Sequence, residues 1–141
     1  MDWFANLAGG FETAVTLNNI MLCFIGVLLG TAIGVLPGVG PLVTIAILLP
    51  LTYSLEPTSA LIMLSGIYYG AQYGGSTTAI LVNLPGESGS VVTCIDGNAM
   101  ARNGRAGSAL AIAALGSFFA GTVGTLMIAA FSPYLSKIAL S

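Results

Sequence analysis

Apolar residues fill most of the chain in long blocks, separated by short clusters of glycine, proline and polar side chains. Residues 18–36, from Asn18 to Leu36, carry no charge over nineteen positions. As a helix this block is about 28 Å long, just enough to cross a bilayer core. Leu36-Pro37-Gly38-Val39-Gly40-Pro41 then stops any helix, and Pro41 suits the opening of the next one. Residues 41–55 are apolar but short and interrupted by Pro50, which predicts a re-entrant or broken segment. Residues 58–84 read as two apolar halves around the polar centre Gln72-Tyr73-Gly74-Gly75-Ser76-Thr77-Thr78, closed by Asn83-Leu84-Pro85-Gly86. Residues 107–131 form the last long block, with Pro133 and Lys137 in the tail behind it. Ahead of all of these, Trp3, Phe4, Leu7 and Phe11 share one helical face. That pattern predicts a helix lying at the membrane interface with Trp3 as its anchor.

The organisation that follows is one partial transmembrane domain. Residues 1–17 are an interfacial segment, 18–55 a first membrane hairpin with a Gly/Pro break, and 58–86 a discontinuous membrane segment. Residues 87–106 are a cytoplasmic loop, 107–131 a membrane helix and 132–141 a tail. The predicted fold class is all-α: a polytopic integral membrane protein of four to five membrane segments with re-entrant or discontinuous helices. Composition supports this. The chain is 56 % hydrophobic and 6 % charged, with a mean hydropathy of +0.97. A soluble domain carries about 25 % charged residues, and three basic plus five acidic side chains cannot cover a water-facing surface. The 19 glycines include two four-residue series, Gly26/Gly30/Gly34 and Gly66/Gly70/Gly74, and Gly116/Ala120/Gly124 makes a third flank. Such flanks let membrane helices approach closely.

Charge and residue inventory remove several function classes. Histidine is absent, which excludes Ser-His-Asp and Cys-His catalysis and His-based zinc sites. The chain lacks a phosphate-binding G-x-x-x-x-G-K-[ST] run. A net charge of −2 gives nucleic-acid binding no electrostatic basis. Cys23 and Cys94 are not expected to pair, and two cysteines cannot complete a metal site. The chain is therefore not expected to be an enzyme or to hold a resident cofactor. Asp2 stands where a secretory leader carries positive charge, so the first apolar block is expected to stay in the membrane. Arg102 and Arg105 place the 87–106 loop in the cytoplasm, where Asp96 is expected to cap a short helix that Gly104 ends. Lys137 would then lie on the opposite side.

The candidate chemistry lies in the helix-breaking clusters. Backbone groups freed in hydrocarbon cost several kcal/mol each unless they are satisfied. A break at Gly74-Gly75 would start a half-helix whose N–H groups and dipole attract an anion, with the hydroxyls of Ser76, Thr77 and Thr78 to hand. Gly38, Val39 and Gly40 offer a second set of amides ahead of a helix, and Asn83 offers a side-chain amide. Facing breaks of this kind form midplane sites in secondary transporters. The apolar blocks hold no charged residue, which favours sodium coupling, or coupling residues outside this chain, over a proton relay.

Leu36-Pro37-Gly38-Val39-Gly40-Pro41 and Tyr68-Tyr69-Gly70-Ala71-Gln72-Tyr73-Gly74-Gly75-Ser76-Thr77-Thr78-Ala79-Ile80-Leu81 resemble the large membrane subunit of the bacterial tripartite tricarboxylate transporters. Asn83-Leu84-Pro85-Gly86-Glu87 and the stretches Asp96-Gly97 and Gly104-Arg105-Ala106-Gly107 share that resemblance, which extends over roughly residues 15–130. It implies a secondary transporter of the bacterial inner membrane that imports organic acids such as citrate-like tricarboxylates on an ion gradient, with Na+ or H+ as the coupling ion. It also implies two partners, a small membrane subunit and a periplasmic solute-binding protein, and places the motifs at 37–41 and 74–78 near substrate. Members of that family are several times longer, with two related halves, and this chain is similar to the first part. Two other readings remain at this stage: a non-transporting membrane assembly or accessory subunit, and a small self-assembling pore.

Overall fold

The computed structural model describes residues 3–139, the side chains of Trp3 and Lys137 excepted. The anchoring expected of Trp3 and the topological role expected of Lys137 therefore fall outside the described residues. The chain is all-α, and its described residues form six α-helices joined by short 3-10 and π turns. They are α1 (Trp3–Ala14), α2 (Leu17–Gly34), α3 (Gly40–Leu48), α4 (Pro57–Val82), α5 (Val91–Met100) and α6 (Ala106–Ala139). Among the described residues, two stretches are long and apolar enough to cross a membrane by length and composition: Leu17–Gly34, and Ser88–Ser136, whose long member is α6. Gly40–Thr52 is a shorter apolar helix.

Prolines set the element boundaries. Pro57 opens α4 behind an extended Glu56, the conformation a following proline favours. Pro41 opens α3, and Pro50 converts its end into a 3-10 turn at Leu49–Thr52, as the sequence suggests for both. Pro133 does not end α6, which continues to Ala139, so the expected tail from 132 is helical. The region 87–106 is largely helical rather than a loop, with most of its residues exposed and one side of α5 against α4. Gly97 and Asn98 of α5 are buried, and Asn98 Nδ2 donates to the Ile80 carbonyl at 2.9 Å. Asp96 lies inside α5 rather than capping it. Gly104, at φ +75°, does interrupt the helix as expected.

The centre of the molecule is the α2–α4 pair. On α2 the buried residues are Asn19, Gly26, Gly30 and Gly34, one stripe at four-residue spacing. A methyl group placed on Gly26 would meet the Met63 carbonyl oxygen at 2.5 Å, and one on Gly34 would meet Ala71 Cα at 2.5 Å. In return, methyls on Gly66 and Gly74 would meet the Cys23 carbonyl oxygen at 2.6 Å and Val35 N at 2.7 Å. Backbone lies on backbone along the whole seam, which only glycine permits. Asn19 clasps one end, donating to the Thr13 carbonyl at 2.8 Å and accepting from Ser59 Oγ at 2.7 Å. Leu48, Met63 and Ile67 form the apolar core beside the seam. The third small-residue flank behaves differently: Gly116 and Gly124 face open space, and on α6 it is Gly121 that packs, against the Tyr69 ring.

Candidate functional site

The break after α2 is real. Pro37 cannot continue the helix, and Gly38 and Gly40 take φ values of +80° and +61°, a backbone region that side chains disfavour. Not all of its amides are free, however. The Val39 N–H donates to the Leu36 carbonyl at 3.2 Å, so of the three expected amides Val39 is already engaged.

The break expected at Gly74-Gly75 does not occur. Helix α4 runs unbroken from Pro57 to Val82. There is no half-helix start within it and no exposed set of amides at residues 74–78. Glycine weakens an isolated helix by about 1 kcal/mol, but here it lets α4 reach other backbone. Gly74 fits against Gly34 and Val35, and Gly75 against Gly86. Thr77 Oγ1 donates to the Tyr73 carbonyl one turn back at 2.9 Å. Thr78 Oγ1 donates to the Val35 carbonyl at 2.7 Å, satisfying an oxygen that the end of α2 leaves open. The backbone that is actually unwound lies on either side of α4's final turns, at residues 35–39 and 83–87.

These two unwound segments meet at α4. The chain leaves α4 through Asn83, in the left-handed conformation at φ 61°, which ends the helix. It then doubles back so that Gly86 packs on Gly75, where a methyl on Gly86 would lie 2.6 Å from Gly75 Cα. Gly40 lies beside the same loop, its added methyl 3.6 Å from the Gly86 carbonyl oxygen and 3.9 Å from Glu87 Cβ. Gln72, Gly75 and Ser76 stand at i, i+3 and i+4 and so share one helical face, the face that Gly86 covers. The structure thus brings Gly40 and Gly75 together around Gly86, while Gly74 and Thr78 meet the end of α2 at Gly34 and Val35 and Ser76 is half-buried on α4. Gly38 sits on the break with nothing within 4 Å of an added methyl, and Asn83 is exposed at the helix exit.

Glu87 is the residue that sequence reasoning left in an exposed loop. Its carboxylate accepts from the Gln72 side-chain amide nitrogen, whose second contact, to the other carboxylate oxygen, is 2.8 Å. The Gln72 oxygen accepts from the Tyr68 hydroxyl at 3.1 Å. Ser90, buried to 2 % exposure, fixes the Glu87 backbone: its hydroxyl donates to the Glu87 carbonyl at 2.9 Å and accepts from the Glu87 N–H at 3.2 Å. Burial pushes the Glu87 carboxyl above the ordinary glutamate value. The signal for Glu87 was its place at the end of the Asn83-Leu84-Pro85-Gly86-Glu87 motif.

On the other side of α4, Leu7, Phe11, Tyr69, Tyr73, Phe118 and Thr122 line an open apolar groove of about 690 Å³ between α1, α4 and α6. Of the apolar face expected of α1, Leu7 and Phe11 line this groove. Among the described residues no group of three His, Cys, Asp or Glu is placed to hold a metal ion.

The sequence is similar to an uncharacterized 52.8 kDa protein in the TAR-I ttuC' 3' region of Agrobacterium vitis, at 68 % identity over 140 residues. The match covers 99 % of this chain and 28 % of that relative. No solved structure matches the chain. The pattern described as "Tripartite tricarboxylate transporter TctA family" matches residues 20–141, the region that holds both unwound segments and the glycine seam of α2 and α4, and the chain belongs to that family.

Proposed function

We propose that the chain forms part of the membrane subunit of a secondary, ion-gradient-driven importer of tricarboxylates or related organic acids in the bacterial inner membrane. Its proposed partners are a small membrane subunit and a periplasmic solute-binding protein. Two observations support the reading: the family match over residues 20–141, and the meeting of the two unwound segments, 35–39 and 83–87, at α4. The family match carries the argument.

In this reading the substrate carboxylate meets the Gly38 and Gly40 amides ahead of α3, where helix N-termini favour anions. Ser76 presents its hydroxyl from α4, and Thr77 flanks it. Gly74, Gly75 and Thr78 hold the surrounding walls in contact, and Asn83 sets the exit of α4. Because α4 is continuous and its glycine seam locks it to α2, the mobile part is α3. It pivots on Gly38 and Gly40, whose backbone is free of side-chain restraint.

The test is uptake by the intact transport system carrying Ser76→Ala together with Thr77→Ala. Uptake of the tricarboxylate should vanish while the abundance of the subunit in the membrane stays unchanged. Full uptake by the double variant removes this face of α4 from the site.

A further inference from the structure

We propose that residues 83–100 form a re-entrant hairpin, which dips into the bilayer beside α4 and returns to the face it left, the face that carries Arg102 and Arg105. The hairpin rests on the course of the chain alone. That its tip adjoins a substrate site opening toward the same face rests on the reading above.

Packing contacts fix the course of the chain along α4. Gly26, Gly30 and Gly34 of α2 meet Met63, Ile67 and Ala71 of α4, so their positions advance together and the two helices run parallel. The chain leaving α2 is carried back by α3 and its 3-10 turn to the start of α4 at Pro57. Helix α4 then passes the end of α2 and runs on from Ala71 to Val82, about 16 Å farther. After Asn83 the chain descends again, because Gly86 packs on Gly75, about 10 Å below the end of α4. It climbs back in α5, where Gly97 meets the Ile80 side chain and Asn98 Nδ2 donates to the Ile80 carbonyl at 2.9 Å, about 3 Å from that end. Helix α5 has 10 residues, about 15 Å of helix, half of what a crossing needs. From the same end α6 descends, since Gly121 meets the Tyr69 ring, about 20 Å down α4.

Length sets the depth. Helix α4 has 26 residues, about 39 Å, against a hydrocarbon core of about 30 Å. Centred on that core, it holds Gly75 and the Gly86 tip about 6 Å inside the boundary and Ile80 at the boundary. The hairpin side chains are sorted to match. Val92 and Ile95 on the ascending limb are each 68 % exposed, a bare apolar face in water and a covered one in hydrocarbon. Asp96, Arg102 and Arg105 come at the boundary and beyond it, where charge belongs. The tip also satisfies its own backbone, as depth demands: the Ser90 N–H donates to the Glu87 side chain, and the Glu87 N–H donates to Ser90 Oγ at 3.2 Å. The break at 35–39 lies at the level of this tip, with Val35 beside Gly74 and Gly40 beside Gly86. Toward the opposite face it is shut off by the α2–α4 seam and the Asn19–Ser59 hydrogen bond, so it opens toward the arginines.

Single cysteines in the intact transport system, with Cys23 and Cys94 replaced by serine, test this path. A membrane-impermeant maleimide is added to one side of oriented vesicles. Asn103→Cys, beside the arginines, and Ser88→Cys, near the tip, should label from the same face, and Ser54→Cys, ahead of α4, from the other. Val92→Cys should label about tenfold more slowly than Ser88→Cys, as a thiol in apolar surroundings resists ionisation. Labelling of Ser88→Cys and Asn103→Cys from opposite faces overturns the hairpin. So does Val92→Cys labelling as fast as Ser88→Cys, the behaviour of a loop lying in water. Gly89→Cys and Ile95→Cys decide the same two points should either variant fail to accumulate. Leu36→Cys reads the break: without substrate or gradient it should label faster from the arginine face, and faster labelling from the Ser54 face overturns that opening. Saturating tricarboxylate should slow the Leu36→Cys reaction; no protection, with the other labels as expected, defeats the carrier site and leaves the hairpin upheld.

Discussion

Helices α2 and α6 are both long, apolar and rich in small residues, yet they use their glycines in opposite ways. Along α2 each glycine of the series Gly26, Gly30 and Gly34 meets the α4 backbone so closely that a single methyl group would collide with it. Along α6, Gly116 and Gly124 face open space, and Phe118, Phe119 and Ile128 stand more than two-thirds exposed. The same spacing of small residues therefore makes a closed seam in one place and a bare flank in the other. Spacing supplies the opportunity for contact, and the contact itself depends on a partner surface of matching shape.

The sharpest way to break this comparison is to enlarge a seam glycine. Gly30→Leu drives its side chain into the Ile67 backbone and should cost about 3 kcal/mol or more, read as a loss of stability to denaturing detergent. Next comes Asn19→Leu, which removes the clasp to Thr13 and Ser59. Its expected cost in the same assay is about 1–3 kcal/mol. Thr78→Val leaves the Val35 carbonyl without its donor and should cost about 1 kcal/mol. Gly116→Ala, on the bare flank, should be neutral or stabilising by up to about 1 kcal/mol; a large loss there would show that α6 closes a seam of its own.

A smaller effect is expected from Glu87 itself. Its folded-state carboxyl is raised above the ordinary value of 4.5. The folded state therefore holds the proton more tightly than the unfolded one, and the associated stability is present below the unfolded value. It is lost as pH rises through the folded value. The wild type should resist denaturation slightly better at pH 5 than at pH 8, and Glu87→Gln should erase that difference.

Much of this architecture is readable from residue order alone, because a four-residue repeat of glycine specifies a helix face without knowledge of its partner. Pro37, Pro41, Pro50 and Pro57 likewise mark local boundaries, and the structure keeps each of them. Gly74-Gly75 was misread for a physical reason. A glycine pair looks like a helix breaker by propensity, but the helical ladder survives where tight packing on Gly34 and Gly86 compensates for the flexibility. Pro133 was misread by the same local logic. The junction was only half legible. Gly38 and Gly40 declare a turn, whereas the contact between Gln72 and Glu87 requires the chain to double back after Asn83, a return path that no local pattern encodes. The packing of α5 on Ile80 through Asn98 is nonlocal in the same way, so four charges between 87 and 106 read as a wet loop.

The central claim is that an organic acid binds at the Gly38–Gly40 break with Ser76 of an unbroken α4 beside it. Its most direct test is alkylation of Ser76→Cys in the intact transport system, with Cys23 and Cys94 replaced by serine. A tricarboxylate should slow the labelling in a saturable manner, and an uncharged solute of similar size should not. Labelling that proceeds at full rate under saturating tricarboxylate, in a variant that still transports it, would contradict the account.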